Sequence, residues 1–173
     1  MDDEEIVTRQ LGRELACDMT PVFRCAGGFP VVIKNASATR DGTPFPTLFW
    51  ITCPALRADI ARLEASGAVA GFERFLRSPK TRAALFASER AYRRERAKKT
   101  GSGRAIKQVF IARPDPGAEA ALRGVGIAGN RNPLHLKCLH AHAADYLVAG
   151  LNPIGKKVMR STPVPDGCRV CGG

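Results

Sequence analysis

Acids, aromatics and histidines are all scarce in this sequence. Asp and Glu number 16 against 27 Lys and Arg, which gives the 173-residue chain a formal net charge of +11. Aromatic residues make up only 6%, too few for a platform that stacks successive bases of a single strand. No window approaches ~18 uninterrupted apolar residues, which excludes a membrane-spanning helix. No glycine-rich nucleotide-cofactor motif and no internal repeat is present. The start, Met1-Asp2-Asp3-Glu4-Glu5, lacks the basic-then-apolar pattern of a secretory leader, so a cytoplasmic setting is expected. At 45% apolar and 25% charged residues, the composition is that of an ordinary globular domain rather than a disordered chain.

Six cysteines are present: Cys17, Cys25, Cys53, Cys138, Cys168 and Cys171. In a reducing compartment clustered cysteines are metal ligands or reactive thiols more often than bridges. Cys17 has no Cys or His within six residues and reads as a small buried hydrophobe.

The pattern along the chain predicts an α+β fold, with a small antiparallel sheet over about residues 20–53 packed against several helices. Residues 3–16 alternate charged and apolar positions at helical spacing. Val22–Cys25 and Pro30–Lys34, separated by Ala26-Gly27-Gly28, read as a hairpin. Thr47–Cys53 is the most strand-like segment and is expected to be the central, most buried strand. Pro54 opens a helix with Leu56, Ile60 and Leu63 on its apolar stripe and Gly67 at its end. A second helix is expected over 68–77, and a third from Ser78-Pro79 to about Lys99, with Leu85 and Tyr92 on one face. Asn132-Pro133 reads as a helix start and Asn152-Pro153 as a stop, which predicts a helix over 133–149. Residues 1–160 then form one domain and 161–173 an extended tail.

The 133–149 segment contains all three histidines, His135, His140 and His142, together with Cys138. On a regular helix His135, Cys138, His142 and Asp145 share a stripe at spacings of three, four and three, while His140 lies about 160° from His142. Imidazole and thiolate at such spacing suit a tetrahedral metal such as zinc. One helix supplies part of a site at most, either the 135/138/142 stripe or Cys138 with His140 at a frayed end. Backbone-bonded core histidines and a pH-sensitive pair are the alternatives. Cys168-Arg169-Val170-Cys171 has the spacing of half a zinc site; an unpaired tail or a redox dithiol are the other readings. Cys53 stands where the best strand meets a helix N-terminus, a place that stabilises a thiolate. The candidate metal ligands are therefore Cys25, Cys53, Cys138, His140, His142, Cys168 and Cys171.

Asp41-Gly42-Thr43-Pro44-Phe45-Pro46-Thr47 running into Cys53-Pro54 and Arg62-Leu63-Glu64, with Arg9-Gln10-Leu11-Gly12-Arg13, Arg24-Cys25 and Pro30-Val31-Val32, resembles the bacterial domain-of-unknown-function 501 family. Lys137-Cys138-Leu139-His140-Ala141-His142 with Gly150, Asn152-Pro153 and Gly155 is similar to the family's second signature. The resemblance covers most of residues 9–157, departs from the family pattern after Arg13 and is loose over 70–125. It implies that the Cys53-Pro54 junction and the Lys137–His140 motif belong to one small domain, and it favours Cys138 and His140 over His135. It carries no activity.

Charge and chemistry fall in different places. Residues 74–107 hold twelve Lys and Arg against Glu89 and Glu95, a surplus of ten. Arg90, Arg93, Arg94, Arg96, Lys98 and Lys99 are the candidate contacts to a nucleic-acid backbone or other polyanion. The Cys/His supply leads to a zinc-binding adaptor module as the first expectation. The alternative is an enzyme using Cys53 or Cys138 with His140 or His142 as base.

Overall fold

A computed structural model describes residues 1–98, 122 and 124–166. Helix α1 (Asp3–Leu11) opens with a reciprocal capping box between Asp2 and Glu5, which satisfies two of the N–H groups a helix start leaves unpaired. It stops well short of residue 16, because Gly12 turns left-handed (φ 69°) and its N–H closes on the Thr8 carbonyl. Strands β1 (Met19–Arg24), β2 (Pro30–Asn35) and β3 (Phe49–Ile51) form an antiparallel sheet in the order β1-β2-β3. The expected hairpin is thus present, and the α+β class holds.

The expected central strand is an edge strand. Position 2 belongs to β2, whose Val31, Val32 and Ile33 are all buried. Ile33 meets Val7 and Leu15 with Trp50 alongside, whereas Val32, Phe49 and Ile51 join the main core on the opposite face. The apolarity of Thr47–Cys53 therefore reports packing between two layers and not a place in the middle of the sheet. Tyr92 helps to cover this edge: its hydroxyl accepts the Leu48 N–H at 2.9 Å and its ring meets Phe49 edge-on.

Helices α2 (Pro54–Ala65), α3 (Ala68–Phe75) and α4 (Pro79–Ala97) follow, the first and third with proline at the first helical turn as expected. Leu56 and Ile60 of α2, Phe72 of α3, and Leu85 and Tyr92 of α4 are buried. A 3₁₀ turn at Ile127–Gly129 leads towards α5 (Leu139–Ala149), whose Leu139, Ala143 and Ala144 are buried in the main core.

Two helix boundaries correct the sequence reading. The expected helix over 133–149 starts only at Leu139, with Cys138 as an extended cap (φ −155°). His135 and Cys138 therefore precede the helix, and the 135/138/142 stripe does not form. Asn132 makes only a local turn, its side chain accepting the Leu134 N–H. Asn152-Pro153, read as a stop, instead begins a further helix, α6 (Pro153–Ser161). Gly155 lets α6 lie against α5, since a Cβ there would stand 2.0 Å from the His142 carbonyl oxygen. Among the described residues no helix is long and apolar enough to cross a membrane.

Candidate metal centre

Three donors from two helices converge beside the start of α5. Glu64 occupies the last turn of α2, Cys138 caps α5 and His140 lies in its first turn. One ligand atom from each lies within 4.8 Å of the others, and all three residues are half-buried. Among the described residues this is the only such group of three or more Cys, His, Asp or Glu. A tetrahedral zinc with bonds of about 2.0–2.3 Å holds its ligand atoms about 3.3–3.8 Å apart, so closing the cluster needs side-chain movements on the order of 1 Å.

Each donor is held by its own local bond. One oxygen of Glu64 accepts the Leu139 N–H at 2.6 Å, which caps the N-terminus of α5 from another helix. Its second oxygen lies 3.3 Å from His140 Nδ1. On the far side of the ring, His140 Nε2 donates to the Arg57 carbonyl at 3.0 Å; a carbonyl only accepts, so this nitrogen carries the proton. Such a bond fixes ring orientation in metal-ligating histidines and leaves the other nitrogen to the ion. Burial by itself would lower the His140 pKa, but the hydrogen bond with Cys138, the Arg57 carbonyl and the Glu64 charge outweigh it and raise it to about 9. At neutral pH without metal the ring is therefore protonated, its Nδ1 turned to the Glu64 carboxylate with Cys138 in the same cluster.

His142 has the opposite surroundings. It is buried, and its Nδ1 accepts from Asn152 Nδ2 at 3.1 Å. The amide orientation is fixed by its other end, where Asn152 Oδ1 accepts the N–H groups of Ile154 and Gly155 at 3.0 Å each. Asn152 Nδ2 also donates to Asp145 Oδ2 at 3.0 Å, and Ser88 Oγ donates to the same oxygen. Burial pushes His142 down to about 4, with the Asn152 bond opposing only weakly. Burial raises Asp145 too, against Ser88 and Asn152.

The sequence-derived candidates divide accordingly. Cys138 and His140 come together; Cys25, Cys53 and His142 stand outside their cluster. Cys53 is the buried cap of α2, and Cys25 packs half-buried on the main core. Cys168, Cys171 and Lys99 lie outside the described residues. Of the expected polyanion contacts, Arg96 is committed within the fold: it bonds the carbonyls of Val125 and Pro46 and lies 4.9 Å over the Tyr92 ring. Lys98 pairs with Glu95 at 2.5 Å and Arg93 approaches Glu89 at 3.8 Å, leaving Arg90 and Arg94 as exposed members of the set.

Glu64 is the residue that sequence reasoning missed as a ligand. Its only signal was the Arg62-Leu63-Glu64 triplet in the family signature, because its partners lie some seventy positions further along the chain. Nothing among curated proteins or solved structures matches the chain. The family model described as protein of unknown function (DUF501) matches residues 22–160, a span that contains the second half of β1, β2, β3, Glu64, Cys138, His140 and most of α6, and the chain belongs to that family.

Proposed function

We propose that the protein is a metal-binding module in which Glu64, Cys138 and His140 hold a zinc ion at the junction of α2 and α5. The observation that carries this reading is the arrangement around one imidazole. The Glu64 carboxylate faces Nδ1, and Nε2, the nitrogen remote from it, is spent on a backbone carbonyl, with Cys138 in the same cluster. In a nucleophile–base–carboxylate triad the carboxylate sits on the nitrogen remote from the nucleophile, so the geometry favours a shared cation over cysteine catalysis. One thiolate and one carboxylate neutralise a divalent ion. With three protein donors a fourth position is left for water or a further ligand. The bound ion would tie the end of α2 to the start of α5, and a fourth ligand from the chain or a partner would close it as a structural site in an adaptor domain. A cytoplasmic, reducing setting belongs to this reading, because Cys138 must stay reduced to act as a ligand.

Zinc competition against a chromophoric chelator tests the proposal, using the full chain with Cys168→Ser and Cys171→Ser to silence the tail thiols. One equivalent should bind in that background, and His140→Ala should abolish it. Absence of binding, or one equivalent retained without His140, would overturn the reading.

A further inference from the structure

The basic surplus of residues 74–107 is not spread evenly once the fold is known, and a second basic segment joins it from elsewhere in the chain. Residues 74–88 contain Arg74, Arg77, Lys80 and Arg82 and no acid; residues 146–165 contain Lys156, Lys157 and Arg160 and no acid. All seven side chains belong to exposed residues. The two segments are neighbours in space. Lys157 Nζ lies 4.7 Å from the Phe75 ring and 5.7 Å from the Phe72 ring, which places α6 against α3, and α6 also packs on α4. On α6, Ile154, Gly155 and Val158 are buried, so the helical period turns Lys156 and Arg160 to the opposite, outward face. The nearest acid in sequence, Glu73, is turned to the Leu136 N–H and to His135.

We propose that this α3–α4–α6 surface binds the phosphodiester backbone of double-helical nucleic acid without reading its sequence. Seven cations free of intervening acid complement a regular polyanion, and four of them are arginines suited to paired contacts with phosphate oxygens. Of the two exposed aromatic rings in these segments, Phe75 is engaged by Lys157, and Phe86 on α4 is a single ring, too few to stack successive bases. Arg90 and Arg94 stand further along α4 and are peripheral to this surface.

Fluorescence anisotropy with a labelled, mixed-sequence 24-base-pair DNA duplex and the matching RNA duplex tests the inference across a salt series. If about five cations meet phosphates, the log–log salt slope is about −4.5, and affinity falls about 500-fold between 50 and 200 mM salt. Lys156→Gln with Arg160→Gln, and separately Arg74→Gln with Arg77→Gln, should each reduce the slope by about 2 while leaving the thermal midpoint unchanged. Two pairs on different helices keep the test sound if one of them perturbs folding. Arg90→Gln with Arg94→Gln should change the slope less than either pair. The proposal is overturned by absence of binding at 50 mM salt, by slopes indifferent to both pairs, or by a dominant effect of Arg90 and Arg94. Preferential capture on phosphatidylserine–phosphatidylcholine vesicles, with neither duplex bound, would also overturn it.

Discussion

Two histidines two positions apart on one helix are driven in opposite directions. His140 faces the edge of the fold, where a carboxylate and a thiol raise it to about 9. His142 faces the interior, where burial lowers it to about 4 and the Asn152 amide bonds its ring. The outer histidine stands among groups that can all ligate a cation. The inner one belongs to a buried hydrogen-bond network that joins α4, α5 and α6. The same residue type thus serves chemistry on one face and architecture on the other, and what differs is whether a carboxylate and a thiol contact the ring directly.

The largest effect should come from Asn152→Ala. That side chain is fully buried, caps α6 through two N–H groups and supplies partners to His142 and Asp145. Its loss removes a cap and leaves buried polar groups unpaired, costing about 3–5 kcal/mol. Urea denaturation measures it; Asn132→Ala, at the exposed Asn-Pro pair, should cost under about 1 kcal/mol by the same measurement. A cost for Asn152→Ala as small as that for Asn132→Ala would erase the contrast.

Acid should strike the inner histidine next. Its folded pKa lies below the ordinary 6.5, so the unfolded chain takes up the proton first. The stability it contributes is complete above pH 6.5 and is lost as pH falls through about 4, a change of about 3 kcal/mol. The difference in urea stability between pH 7 and pH 4.5, measured with chelator present, should shrink in His142→Gln. His140 has the opposite sign in metal-free protein: its contribution is present below pH 6.5 and fades as pH rises through about 9. Equal pH profiles for wild type and His142→Gln would contradict the assignment.

His140→Ala separates chemistry from architecture. Zinc affinity should fall by at least about 100-fold, beyond the loss usual for an outer partner of a ligand, while urea stability in chelator falls most below pH 6.5 and least as pH passes about 9. Asp145→Asn should have the smallest effect, within about 1 kcal/mol by the same denaturation. The replacement still offers an oxygen to Ser88 and Asn152, and it exchanges a buried atom that already lacks a hydrogen-bond partner, Asp145 Oδ1.

What could be read from the sequence was local. Pro54 and Pro79 mark helix starts because a proline acts on its own first turn, and both are found where expected. The pair Asn-Pro misleads at both of its occurrences. The Asn132 side chain accepts the N–H of exposed Leu134 and yields only a turn, whereas Asn152 gains His142 and Asp145 and begins a helix. Which of the two is a cap was settled by side chains on another helix. The Thr47–Cys53 run was recognisable as buried strand, but its place in the sheet depended on pairing with β2. Cys138 and His140 stood out by proximity in sequence. Glu64 did not, because a carboxylate near the end of an exposed helix is ordinary until the fold brings Leu139 and His140 to it.

Cobalt(II) titration of the Cys168→Ser/Cys171→Ser chain is the most direct measurement of the central claim, since thiolate-to-cobalt absorption reports sulfur ligation and the visible bands report tetrahedral geometry. One equivalent of tetrahedral, thiolate-ligated cobalt should form, persist in Cys25→Ser and Cys53→Ser, and lose its thiolate absorption in Cys138→Ser. Thiolate absorption that survives Cys138→Ser, or that disappears with Cys25 or Cys53, would contradict a site built from Glu64, Cys138 and His140.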